Sequence, residues 1–331
     1  MKKKLMNIIT IIMTLFIFTG CGQGVKEEAN NAPKEDKEIK VVVPDGLPSM
    51  AIAKMIKENP EISEGYNVSY SIEKTPENIV SAVLKGEVAI ALVPSNVSAT
   101  QYNKEAGYKI AATTGWGSFY LISTDREKTI DDLKGEEIYN IGKGLTPDIV
   151  TKAVLKDMGY DPESDFNFSY VNGVTELAPM IIAGKTKYAV VPEPALSQVL
   201  SKNPDLKVVM ELNEEWKNNN SSDYGFPQAT IIVKEDLIEN DSEFVEAFLD
   251  KVEESTIFVN ENREELANYC EEIGVSANKA IIPKAMDKAN IKFVKINESR
   301  DEYKTYFNKL NDFDPATIGG KVPDEGIFME K

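Results

Sequence analysis

The chain has 331 residues, 42% hydrophobic and 27% charged, with a formal net charge of −17. Such a length and composition suit two ordinary domains with a substantial core, and the acidic balance excludes nucleic acid as a partner. There is no histidine and there are only two cysteines, which removes imidazole-based metal sites, general-base chemistry and Ser/His triads; no metal and no cofactor is expected.

The first segment reads MKKKLMNIITIIMTLFIFTGC. Lys2–Lys4 form a basic head, Leu5–Phe18 an apolar run, and Thr19-Gly20-Cys21 a small-residue ending. This is the pattern of an export signal, and the run is short for a membrane span. The FTGC ending resembles a bacterial lipobox. It implies that residues 1–20 are removed and that Cys21 carries a lipid. Removal of three lysines takes the charge from −17 to −17 − 3 = −20. Residues 22–38, GQGVKEEANNAPKEDKE, have no apolar periodicity and read as a flexible tether. The expected location is the extracytoplasmic face of the cell membrane, held by the lipid rather than by a span. Cys270 is then the remaining thiol. It sits in a helical pattern, and no internal disulfide is possible.

The folded part begins with a strand, IKVVV (39–43), and a PDGLPS turn. A helix is predicted over 50–60 and an alternating strand over 66–74. TPENIVSAVLKG (75–86) has clear helix grammar. Thr75 suits the N-cap, Pro76 the first helical position, and Gly86 the stop. VAIALV (88–93) is continuously apolar, as expected for a strand covered on both faces. The β-α-β-α-β order predicts a parallel sheet.

The same order recurs 98 residues later, as with Pro94 and Pro192. EIYNI (137–141) falls on the first strand and GKGLTPDIVTKAVLKDMG (142–159) on the turn and first helix. DFNFSYVN (165–172), VTELAPMIIAG (174–184) and YAVV (188–191) complete the second copy. Gly46-Leu47 lands on Gly144-Leu145, Lys54 on Lys152, and Gly86 on Gly184. Two similar α/β lobes follow. Segments 108–125 and 224–238 are apolar and β-rich, and are expected to cross between lobes. EEWKNNNSSDYG is expected to be an exposed loop around Asn218–Asn220. Helical stretches at 242–262, 263–274, 277–291 and 301–312 must return to lobe 1 or bridge both lobes. The expected division is 39–123 plus 228–331 for lobe 1 and 124–227 for lobe 2.

In parallel α/β sheets, ligands sit beyond the carboxyl ends of strands, where helices begin. Four loops lie at such places: GLPS (46–49), PSN (94–96), GLTPD (144–148) and PEP (192–194). Trp116, between two glycines, is hard to place inside a strand and could cover an apolar ligand face, or could pack against the hinge. Tyr224 and Phe226, near the second crossing, carry the same two readings. Ser95, Lys143 and Thr146 suit an oxyanion; Glu193 and Trp116 suit a neutral heteroaromatic or cationic solute.

The stretch DDLKGEEIYNIGKGLTPDIVTKAVLKDMGYDPESDFNFSYVNGVTELAPMIIAGKTKYAVVPEPALSQVL resembles the second lobe of nitrate/sulfonate/taurine-type substrate-binding proteins of ABC transporters, among whose relatives are thiamine-precursor binders. YGFPQATIIV and the late IGGKVPDEGIF (318–328) extend the likeness from about residue 39 to 331. The resemblance implies the type II periplasmic-binding-protein fold: two lobes, each a mainly parallel sheet flanked by helices, with two crossover strands as the hinge. It implies a monomer that captures a small solute and delivers it to a permease driven by an ATPase, without enzymatic activity. It also implies that Gly46-Leu47-Pro48, Ser95-Asn96, Thr114-Gly115-Trp116, Gly144-Leu145-Thr146 and Glu193 line the cleft, which closes by hinge motion. Alternatives are a ligand-sensing lipoprotein serving a signalling partner, and an enzyme on the same fold, since some relatives make pyrimidine or act on chorismate.

Overall fold

The computed structural model describes residues 36–330, apart from Arg126. The expected signal, Cys21 and the tether up to residue 35 lie outside the described residues.

The chain opens with β1 (Lys37–Pro44), α1 (Leu47–Ala51), α2 (Ala53–Glu58), β2 (Tyr66–Glu73), α3 (Pro76–Leu84), β3 (Ile90–Pro94), α4 (Ser95–Asn103) and β4 (Tyr108–Trp116). The helix expected over 50–60 is broken at Ile52, whose φ of −110° and ψ of 21° leave the helical range. Thr75 is extended, but its hydroxyl makes no cap bond. Gly86 stops α3 with φ of +65°, a value that favours glycine. Ile90, Ala91, Leu92 and Val93 are all buried, as a strand sandwiched by helices requires.

The second lobe follows with β5 (Phe119–Ser123), β6 (Glu137–Ile141), α5 (Thr146–Asp157), β7 (Asn167–Val171), α6 (Val174–Ile182), β8 (Tyr188–Pro192), α7 (Ala195–Lys202), β9 (Lys207–Glu211) and α8 (Leu212–Asn220). The repeat holds residue for residue at its centre. α3 shifted by 98 gives α6, and β3 shifted by 98 gives β8. The chain then returns as β10 (Pro227–Lys234), α9 (Glu235–Asn240), α10 (Ser242–Glu261), α11 (Arg263–Ile273), α12 (Ile282–Ala285), β11 (Ile291–Lys295) and α13 (Ile296–Phe313).

The strands form a six-stranded sheet, β11-β4-β10-β3-β1-β2, and a five-stranded sheet, β7-β6-β8-β5-β9. β1 pairs in parallel with β2 and β3, as β6 does with β7 and β8. In each sheet the strand arriving from the other lobe is antiparallel to its neighbours. β10 lies between β3 and β4, and β5 between β8 and β9. The crossings are therefore short. Segment 108–125 is not one crossing strand but two strands in different sheets, separated by Gly117-Ser118. Phe119–Ser123 pairs within the second sheet, ahead of the expected boundary at 123/124.

Two local readings change. Trp116 does belong to a strand, at the end of β4 and opposite Pro227. Its neighbour Gly115 lies against Ala229, whose Cβ would crowd any side chain at 115. Asn218–Asn220 are helical rather than loop. Trp216 is fully buried and anchors α8, while Asn219 and Asn220 donate to the carbonyls of Glu215 and Trp216, one turn back, at 2.7 and 3.0 Å.

The late helices do both things expected of them. α10 and α11 cover α2, while α13 packs on β4 and also reaches α5 of the other lobe. An aromatic set fills the hinge. Phe226 stacks on Phe119 at 6.1 Å and meets Trp216 edge-on at 5.4 Å; Trp216 lies 6.2 Å from Tyr306. Cys270 is buried in the α1–α2–α11 cluster, and burial pushes its thiol up to about 12, so it is chemically quiet.

Candidate functional site

The carboxyl ends of β1, β3, β6 and β8 face one interlobe cleft with two adjoining compartments. One holds about 480 Å³. Lobe 1 contributes Pro44, Leu47, Pro48, Pro94, Asn96 and Val97; lobe 2 contributes Leu145, Thr146 and Pro147; the hinge contributes Gly115, Trp116, Phe119, Gln228 and Ala229. The other holds about 470 Å³ and is bordered by Gly46, Pro192, Glu193, Pro194, Gln198 and the Ser276–Asn278 segment. Asp45, Leu47, Pro48 and Gln228 line both. Each volume suits a small organic ligand. A larger groove of about 860 Å³ runs along α10 beside β11, but no residue of the second lobe lines it.

The loops that reach the cleft do so for local reasons. Gly46 has φ of +106°, and its carbonyl takes the Met50 N–H and the Ser49 hydroxyl, which starts α1 at the cleft. The equivalent loop in lobe 2 is closed by Asp148. Its carboxylate accepts from the Gly144 N–H at 2.8 Å and the Tyr170 hydroxyl at 2.7 Å. This holds Leu145, 57% exposed, at the cavity mouth. Thr146 is the first residue of α5 rather than its cap. Its hydroxyl donates across the cleft to Asn96 Oδ1 at 3.3 Å and lies 3.4 Å from the Tyr306 hydroxyl. The lobes are thus in contact at the tips of α4 and α5. Behind the cleft, Lys309 pairs with Asp157 at 2.7 Å and Lys288 with Glu211 at 2.8 Å, both across the lobes.

Other expected residues stand elsewhere. Ser95 is buried with its hydroxyl 2.6 Å from Thr230 Oγ1, in a network continued by Tyr303 and Thr113; it lines neither compartment because this core network claims its only polar atom. Thr114 is fully buried beside the slot, and its hydroxyl has no partner among the described residues. Lys143 is exposed and lies over the Tyr170 ring at 5.6 Å, which takes its charge away from the cleft. Gly144 supplies only backbone to its turn. Phe226 is a hinge core residue, held by Phe119 and Trp216. Tyr224 is half-buried and stacks on Trp116 at 4.9 Å, backing the indole rather than touching the cavity. Trp116 packs against the hinge and also borders the apolar compartment. It is 2% exposed, its indole N–H donates to the Lys292 carbonyl at 3.1 Å, and its ring still walls the apolar compartment.

Glu193 borders the second compartment and is 4% exposed. The Ser197 N–H and hydroxyl donate to its two oxygens at 3.1 and 2.9 Å. Burial nevertheless dominates and pushes its carboxyl up to about 7, against the lowering effect of Ser197 and Lys288. The ordinary value is 4.5, so this group favours the fold most when protonated. Its contribution is full below 4.5 and is lost as pH rises through about 7. Glu193→Gln is therefore expected to match the parent near pH 4.5 and to be more stable near pH 8, by at most about 3 kcal/mol. Urea unfolding at the two pH values checks this; equal stability of the two proteins at both pH values would contradict it.

Several cleft residues carry no sequence signal. Gln228 sits in an apolar strand. Ser276–Asn278 precedes a short helix and looks like surface. Asp45 reads as a turn residue, and its carboxylate accepts from the Ser276 N–H at 2.9 Å, tying that segment to the rim. No lysine or arginine lines either compartment among the described residues, whereas Asp45, Glu77 and Glu193 do. Among the same residues no group of three or more acidic or cysteine side chains could hold a metal, and no helix is long and apolar enough to cross a membrane.

Solved structures of this shape exist. The chain is similar to an ABC transporter protein from Parabacteroides distasonis, with 29% identity over 89% of this chain and 100% of that one, at a TM-score of 0.78. It also shares its fold with the periplasmic aliphatic sulphonate-binding protein of Escherichia coli, at 13% identity, 87% and 95% coverage and a TM-score of 0.70. The periplasmic nitrate-binding protein of Synechocystis PCC 6803 gives 13% identity, 86% and 84% coverage and a TM-score of 0.62. No curated protein matches. The two-lobed architecture is that of periplasmic ligand-binding proteins, as the sheet order and the short crossings already indicated. The family described as menaquinone biosynthesis matches residues 52–314, most of the folded chain, and the chain belongs to that family.

Proposed function

We propose that this protein is an extracytoplasmic solute-binding lipoprotein, anchored through Cys21, that captures a small organic solute between its lobes and delivers it to an ABC importer made of a permease and its ATPase. The observation that carries the reading is the cleft of about 480 Å³, walled by residues of both lobes and of the hinge. A ligand there touches every moving part, so it favours the closed state. The mainly apolar walls and the absence of a lining cation among the described residues favour an organic body over nitrate.

The soluble part of the mature chain, residues 26–331, should therefore be stabilised by one class of solute, because a ligand that binds only the folded state raises the melting temperature. The test is a panel of sulfonates, nitrate, amino acids, pyrimidines and polyamines, read by melting and by tryptophan fluorescence. Absence of any response across the panel would sink the reading. Replacing Cys21 by serine is expected to leave the precursor uncleaved or release the protein into the medium; normal membrane retention with normal processing would contradict the lipid anchor.

The family's description favours a second reading, an enzyme on this fold. Glu193 is a cleft group whose carboxyl is pushed up to about 7, where a general acid or base works best. Recovery of a bound solute chemically unchanged after long incubation supports the receptor; conversion supports the enzyme.

A further inference from the structure

Gln228 lines both compartments from β10. Its Oε1 accepts from the Ser118 N–H at 2.8 Å and lies 3.2 Å from the Ser118 hydroxyl oxygen. A backbone N–H can only donate, so the amide cannot be turned the other way. Nε2, which makes no hydrogen bond among the described residues, is thereby presented to the junction of the compartments as a donor.

The two compartments differ in character. On one side Trp116, Phe119, Pro94 and Ala229 line an apolar slot. On the other, Glu193 and Asp45 provide carboxylates; no cation lines this compartment among the described residues, and Lys288, which acts on Glu193 from outside it, is paired with Glu211. Glu193 is 4% exposed, so water screens it little. An anion entering here would be stripped of water beside carboxylates. A cation would gain a charge-assisted hydrogen bond.

We propose that the ligand is a bipartite organic cation: a flat ring in the Trp116 slot, an acceptor atom on that ring at Gln228 Nε2, and a positively charged nitrogen at Glu193 and Asp45. This rests on the solute-binding reading above and adds to it the charge, polarity and orientation of the solute. Gln228 is then the residue that distinguishes heteroaromatic rings from carbocyclic ones, and Glu193 the one that distinguishes amines from alcohols and acids.

The affinity is also pH-dependent. Glu193 faces Ser197 on α7, Lys288 and Asp287 from the segment before β11, and Tyr120 on β5. As Glu193 ionises, affinity for a ligand whose side nitrogen is permanently charged rises with pH through about 7 and then levels.

Four probes test this on the mature chain by calorimetry and melting at pH 8: 3-(aminomethyl)pyridine, 3-(hydroxymethyl)pyridine, pyridine-3-carboxylate and benzylamine. The aminomethylpyridine is expected to bind about ten-fold tighter than the alcohol, with the carboxylate not binding. Glu193→Gln, which keeps the size of the side chain and an acceptor toward Ser197, is expected to erase that preference; Asp45→Asn is expected to reduce it. Gln228→Leu is expected to abolish the preference for aminomethylpyridine over benzylamine. Carboxylate binding as tight as amine, or an amine preference that survives Glu193→Gln, overturns the proposal. If a solute of the wider panel binds but the amine does not, the proposal falls and the receptor stands. If nothing binds in either set, both fall.

Discussion

Trp116→Ala should lose about 3–5 kcal/mol of stability and, for any solute that binds the parent, about a hundred-fold in affinity. Both effects come from the same placement. The indole is 2% exposed, stacked on Tyr224 and bonded to the Lys292 carbonyl, so its removal leaves a cavity and an unmet carbonyl. Trp116 also lines the apolar compartment, so the slot loses part of its wall. Trp116→Phe keeps a flat ring and loses the indole hydrogen bond. It is expected to recover most of the affinity while remaining somewhat less stable. Urea unfolding and calorimetry on the two variants separate the roles. Unchanged affinity in Trp116→Ala would show that the ring is only a hinge filler.

Gly225→Ala should be nearly as damaging, at about 3 kcal/mol, although no large side chain is lost. Gly225 has φ of +99°, where a side chain strains the backbone, and a Cβ there would overlap the Asn213 side chain. Asn213 holds the second crossing in place. Its Nδ2 donates to the Tyr224 carbonyl at 3.1 Å and its Oδ1 accepts from the Phe226 N–H at 3.1 Å. Displacing it unfastens the loop that carries both Tyr224 and Phe226. Gly117→Ala is expected to do the same to the first crossing, because its Cβ would overlap the Phe226 ring. Gly184→Ala is the control. Its φ is +66° but the space around it is open, so only the backbone strain of about 1 kcal/mol should appear. Equal losses at Gly184 and Gly225 would mean that the Asn213 clasp contributes nothing.

The repeat made the lobes readable. α6 and β8 lie where α3 and β3 place them after a 98-residue shift. Glycines with positive φ end the helices at both Gly86 and Gly184. The loops after the strands led to Leu47, Pro48, Asn96, Leu145 and Thr146, because strand ends in this topology face the cleft. What escaped was the direction of individual side chains. Ser95 and Asn96 are adjacent and polar, yet one joins Thr230 in the core, 135 residues away in sequence, and the other meets Thr146 across the cleft. Tyr224 and Phe226 differ in the same way, one covering the indole and one filling the hinge. Gln228 was silent because its neighbours are apolar and its role depends on Ser118, 110 residues earlier. Long-range partners of this kind leave no local pattern.

Calorimetric titration of the mature chain, in parallel with Trp116→Phe and Trp116→Ala, tests the interlobe cleft most directly. One solute bound per chain, with affinity retained by the phenylalanine variant and largely lost by the alanine variant, is the predicted result. A solute bound equally well by all three proteins would show that the Trp116 ring takes no part in binding and contradict the account.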